Sequence, residues 1–144
     1  SICKSIHPKK TSFFENIKQV GWVMGAFMFM KREVYEKTHG FDEKIFLYME
    51  EVEWCKRITD CGFKIWYVPN FSITHIGRAS SGNDLKKPIL RELQTLPYYF
   101  SKHYPNWKSI IQIAVKIGVM MRYLVFTITG NQKASIYKEI LREL

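Results

Sequence analysis

From Lys108 to Thr129 the chain runs without a proline and with a single glycine, and most of its side chains are aliphatic or aromatic. A stretch this long and apolar can satisfy its own backbone groups only as a helix. Lys108, Gln112, Lys116 and Arg122 fall within one arc of the helical wheel. Ile110, Ile111, Ile113, Ala114, Ile117, Met121, Leu124, Val125 and Ile128 cover the remainder. Two cations near the middle would each cost ~2.5–3.5 kcal/mol in a membrane-spanning helix. The helix is therefore expected to lie along a surface, of protein or of lipid.

That helix sits in a tail whose pattern is helical throughout, with helices expected at roughly 85–103, 106–129 and 132–143 and a break at Pro105. Upstream of Asp84 the punctuation is different. Residues 1–20 are a polar, basic connector ending in a short amphipathic piece. "GWVMGAFMFMKR" (Gly21–Arg32) reads as a buried strand closed by two cations. "REVYEKTHG" reads as a short helix stopped by Gly40, and "FDEKIFLYM" as an ordered aromatic loop. Glu50–Cys61 reads as a helix with Trp54, Ile58 and Cys61 on one face, Glu53 paired with Arg57, and Gly62 as its stop. "FKIWYVPN" and "FSITHIG" read as strands around Pro69-Asn70. The expected layout is a connector (1–20), an α/β portion (21–83) and a helical extension (84–144).

A hydrophobic content of 47% excludes a disordered chain. Against 13 acidic residues stand 22 basic ones, a net charge of +9, which suits an anionic partner: nucleic acid, a phosphorylated ligand or a membrane surface. Cys3, Cys55 and Cys61 have no CxxC spacing, which argues against a zinc site or a disulfide framework and fits a reducing cytosol. The opening "SICKSIHPKK" has no apolar segment of the kind a signal peptide needs.

In this basic chain, Glu50, Glu51 and Glu53 gather behind the aromatic loop. The plainer explanation is the helix macrodipole, which acids in a first turn stabilise by about 0.3–1 kcal/mol each. The alternative is a general base: a helix start after an aromatic loop can offer a carboxylate to a pocket poor in water, where its pKa rises. Successive helical residues point about 100° apart, so only one of Glu50 and Glu51 can face such a pocket. His75 is either a hydrogen-bonded structural residue or a ligand to a phosphate-bound cation such as manganese. Arg78 to Gly82 offers a cation, hydroxyls and flexible amides suited to a diphosphate, or is a plain solvated turn. Gly25-Ala26 allows close approach of a ligand or tight packing, and Trp22 is a sugar-stacking platform or core.

Taken in order, the Trp/Gly-Ala segment ending in Lys31-Arg32, "GFDEKIFLYMEEVEWCKR", "GFKIWYVP" and "HIGRASS" resemble the C-terminal half of family 2 glycosyltransferases, especially the bacterial rhamnosyltransferase and polysaccharide-synthesis branch. The similarity covers about residues 20–82, and the tail with "YYFSKHYPNW" is in character. It implies an α/β fold, the C-terminal portion of a GT-A-like mixed-sheet sandwich followed by a helical tail. It also implies inverting transfer from a nucleotide-sugar donor to a glycan or lipid-linked acceptor. Glu51 then matches the family's base with Glu50 beside it, and His75 matches a histidine that can join a divalent metal, Mn or Mg. Trp22, Gly25, Ala26, Asp42, Arg78 and Ser80 are the expected substrate-binding positions.

Three positions depart from the family pattern. Glu51 replaces the usual Asp and reaches one methylene further, Glu53 replaces a common Asp, and His39 stands where a second Gly often precedes Gly40. The donor-binding half and its DxD motif are absent, and Asp84 has no second carboxylate nearby to replace it. The chain is expected to be inactive without that half. A cytoplasmic place is expected, peripheral on the membrane through the tail, with self-association as a further expectation. The competing reading is a non-catalytic module of related fold that binds a glycan or a membrane. Nucleic acid is disfavoured, because the cations do not interleave with aromatics in a recognisable motif.

Overall fold

The computed structural model describes residues 14–45, 47–74 and 86–144. In chain order the elements are β1 (Lys18–Val20), α1 (Arg32–Thr38), α2 (Glu50–Asp60), β2 (Ile65–Tyr67), α3 (Lys86–His103), α4 (Lys108–Ile128) and α5 (Lys133–Glu143), with a 3-10 turn, Pro105–Trp107, leading into α4. The content is α/β and mostly helical. The described residues fall into two compact units, one drawn from Ser1–Phe41 and Glu51–Ile76, the other from Asp42–Glu50 and Gly77–Leu144.

In the first unit β1 and β2 pair antiparallel, with Lys18 opposite Tyr67, Gln19 opposite Trp66 and Val20 opposite Ile65. Val34, Trp54, Cys55, Ile58 and Ile65 form the core, and Trp22, Val23 and Phe63 pack against it half-buried. The helices stop where the chain can turn left-handed. His39 (φ 58°) and Gly40 (φ 74°) end α1, and Gly62 (φ 84°) ends α2. After Gly62 the Phe63 amide donates back to the Ile58 carbonyl at 3.2 Å, which folds the chain toward β2.

Several strand expectations are corrected here. Gly21–Arg32 is not a buried strand: it is irregular until α1 begins, and Met24, Phe27, Phe29 and Met30 are exposed. A continuous apolar run becomes a buried strand only when paired neighbours and covering layers enclose it. The only strand pair among the described residues is β1 with β2. β1 lies instead in the polar connector, and residues 71–74, the described part of "FSITHIG", form no strand. Among the described residues the expected mixed sheet thus amounts to two short antiparallel strands. On α2, Cys61 is exposed and Cys55 takes the buried place beside Trp54 and Ile58.

The second unit is helical. Pro105 opens the 3-10 turn that separates α3 from α4. α4 ends at Gly130 (φ 64°), where the Asn131 amide donates to the Phe126 carbonyl at 2.9 Å. The Asn131 side chain accepts from the Lys133 amide at 3.0 Å and so starts α5. Lys86 on α3 bridges Glu139 and Glu143 on α5, each at 2.7 Å. The hydrogen bonds to Glu139 and Glu143 push the Lys86 pKa up. α4 packs on both α3 and α5. With its 3-10 lead-in, Pro105–Ile128 is 24 residues and by length and composition could cross a membrane.

Candidate active site

Within the first unit the site is built where the loop after β1 meets α2. Gly25 and Ala26 are the middle of a turn closed by the Phe27 amide on the Met24 carbonyl at 3.4 Å. Both are exposed. The turn lies against the first turn of α2: a Cβ added to Gly25 would stand 3.5 Å from the Glu51 Cβ. Trp22 is half-buried and belongs to the layer packed on the core.

One helical turn beyond Glu51, Cys55 is fully buried. Burial pushes its thiol pKa up; a hydrogen bond with the Val23 backbone works against this, and the nearby Glu51 carboxylate adds to the rise. The residue is therefore a neutral thiol at neutral pH, one helical turn from Glu51.

The helix carrying Glu51 is fixed to α1 by a buried ionic staple. Glu53 is 0% exposed, and both its oxygens accept from Arg57 Nε at 2.9 Å. Arg57 Nη1 donates to the Thr38 carbonyl and Nη2 to the Gly40 carbonyl at 2.6 Å. Trp54 Nε1 donates to the Thr38 hydroxyl at 2.7 Å, which in turn donates to the Val34 carbonyl at 2.7 Å. The i,i+4 spacing predicted the Glu53–Arg57 pair. Nothing in it pointed to the carbonyls of α1's last turn, which leave Arg57 few donors for solvent.

In the second unit the loop before α2 is anchored through Asp42. Tyr98 donates to its carboxylate at 2.8 Å and Lys102 at 2.6 Å, both from α3. The Lys44 amide caps it at 3.0 Å. Burial pushes the Asp42 pKa up, but the Lys102 hydrogen bond, with those of the Lys44 amide and Tyr98 and the Lys102 charge, brings it down to about 2. Asp42 thus spends its oxygens on its own chain. No sequence signal marked Tyr98 or Lys102 as its partners. The loop then enters α2 through Tyr48 (φ 67°) and Met49 (φ 69°), two consecutive non-glycine residues in the left-handed region. Such a conformation costs about 1–3 kcal/mol per residue and persists only where surrounding contacts impose it. Glu50 follows, with its Oε2 buried and without a hydrogen-bond partner among the described residues.

His75, Arg78 and Ser80 lie outside the described residues. Among those described, no three His, Cys, Asp or Glu side chains are grouped to hold a metal ion. The manganese or magnesium implied by the resemblance has no ligand set among them.

No family model and no solved structure matches the chain. Curated relatives do. The N-acetylglucosaminyl-diphospho-decaprenol L-rhamnosyltransferase of Mycobacterium tuberculosis, from strains CDC 1551 / Oshkosh and ATCC 25618 / H37Rv, is 27% identical over 90 residues, which is 62% of this chain and 29% of that protein. Rhamnosyltransferase WbbL of Escherichia coli (strain K12) is 26% identical over 101 residues, 70% of this chain and 38% of WbbL. The chain therefore spans well under half the length of the relatives it matches. The resemblance carried by the motif order is borne out: over these stretches the chain is similar to rhamnosyltransferases, which are family 2 glycosyltransferases.

Proposed function

We propose that this chain is the acceptor side of an inverting glycosyltransferase, part of a GT-A-like domain, with Glu51 as general base. The observation that supports this most directly is the seating of the Gly25-Ala26 turn against Glu51. An acceptor arriving over Gly25 meets backbone without a side chain and a carboxylate within reach. Glu51 takes the proton of the acceptor hydroxyl as that oxygen bonds to the anomeric carbon. The bond from that carbon to the nucleoside diphosphate breaks, and its electron pair leaves on the diphosphate oxygen. Inversion at the anomeric carbon follows from attack opposite the leaving group.

The relatives' names make a rhamnosyl donor and a saccharide on a polyprenyl diphosphate the substrates to try first. The residues described here act on the acceptor's proton alone, and any divalent metal belongs with the donor. The chain works as one portion of a longer enzyme and does not turn over by itself.

The test is acceptor-dependent transfer by a full-length enzyme containing this chain. Glu51→Gln should lose about 10²–10⁴-fold in turnover, the usual worth of a positioned base, while donor binding stays nearly intact. Glu53→Gln should cost far less turnover and mainly lower stability, since Glu53 is sealed against Arg57. Near-normal turnover of Glu51→Gln at saturating acceptor would remove the assignment of Glu51 as the base.

A further inference from the structure

α4 shows a wide apolar face to solvent. Its buried residues are Val115 and Val119, and these fall in the same arc as Lys108, Gln112, Lys116 and Arg122. Gln112, Ile113, Val115 and Lys116 line a crevice of about 480 Å3 together with Pro97 of α3 and Glu143 of α5. The polar stripe thus flanks the packed seam: Arg122 is half-buried, while Lys108, Gln112 and Lys116 stay exposed. The opposite face is unbroken aliphatic and thioether surface. Ile110 is 56% exposed, Ile113 and Met121 59% each, and Ile128 84%, with Ile117 and Leu124 between them on the same stripe. A helix that buries its apolar face in protein and shows its charges to solvent is the ordinary arrangement. Here the broadest exposed surface of the helix is apolar.

We propose that this outward face of α4 lies in the plane of an anionic bilayer, with its apolar stripe among the acyl chains and α3 and α5 above it. Three observations select lipid as the occupant. The face carries no charge or hydrogen-bonding group along six exposed stripe positions, so it suits a solvent without polar partners. Residues 86–144 hold ten Lys and Arg against three Glu, so a second copy would bring like charge to like charge, whereas an anionic leaflet attracts it. Tyr104 and Trp107, both exposed, stand where α4 begins, the position aromatic side chains take at a membrane–water boundary. Crossing the membrane is disfavoured. It would carry Lys116 and Arg122 into the hydrocarbon and strip α4 of its packing on α3 and α5. The negatively charged cytoplasmic leaflet is the surface this charge suits. The contact is independent of the transfer reaction, so either reading can fail without the other.

The experiment is flotation of the 144-residue chain with vesicles of phosphatidylethanolamine and phosphatidylglycerol, beside vesicles of phosphatidylcholine alone. The variants are Ile117→Gln and the triple Ile113→Gln/Ile117→Gln/Met121→Gln, each checked by thermal unfolding and light scattering without lipid. The wild type should float with the anionic vesicles. The triple variant should float at least about tenfold less with an unchanged Tm, because its substitutions replace exposed side chains. A wild type that stays at the bottom of every gradient overturns the proposal. So does a triple variant that floats as well as the wild type. A wild-type dimer that the substitutions split, with no vesicle binding, assigns the face to a second copy. A marked fall in Tm for Ile117→Gln alone makes it core, and also overturns the proposal.

Discussion

Asp42 shows how one carboxylate can hold a loop. Its pKa in the folded chain, about 2, is below the ordinary 3.8, so the unfolded chain binds the extra proton first as acid is added. Stability from Asp42 is then fully present above pH 3.8 and is lost as pH falls through about 2. Urea midpoints of wild type and Asp42→Asn should differ at neutral pH and converge as the pH approaches 2. The two described cysteines make a second contrast. Cys55 is buried with a raised thiol pKa, and Cys61 is exposed. In native protein treated with maleimide and mapped by mass spectrometry, Cys61 should label promptly, and Cys55 only after denaturant is added.

At the scale of elements, α1 and α2 act as one piece because Arg57 links Glu53 to the carbonyls of Thr38 and Gly40. Removing one partner of a buried pair leaves the other charge unpaired, a loss of about 3–5 kcal/mol. Arg57→Met should lower the unfolding free energy by about that much, as read by denaturant titration, whereas Glu51→Gln should scarcely move it. The helices were legible because their signals are local. The 3.6-residue period, Gly40, Gly62 and Pro105 place the helix ends within a residue or two of where they fall. The strands were not. β1 is three residues of a basic connector that become a strand only by meeting Ile65–Tyr67 far along the chain. The apolar run Gly21–Arg32 looked like a strand because hydrophobicity marks what could be buried, without naming a partner. For the candidate site, motif order singled out Glu51 as a proposed base. Its neighbour Gly25 was marked only as a place for close approach, and its seat against Glu51 left no trace in spacing. His39, which stands where a second glycine is usual, takes the left-handed conformation that explains the preference.

On the scale of the whole molecule, the net charge of +9 gives any surface contact a long-range component. Raising salt from 0.1 to 1 M shortens the screening length from about 10 to about 3 Å. If the charge draws the chain to anionic vesicles, flotation should fall steeply over that range while the helical circular-dichroism signal holds. An apolar contact alone would survive the salt.

The exposed apolar stripe of α4 also bears on how freely the chain can vary. A liquid has no fixed shape, so a face that meets acyl chains needs hydrophobicity and no complementarity. In a saturation-mutagenesis map, positions 110, 113, 117, 121, 124 and 128 should exchange Ile, Leu, Met, Val and Phe almost at will and reject charge. Val119 faces close-packed protein, where one added methylene already strains its neighbours, and should reject Phe and Met as firmly as it rejects Asp.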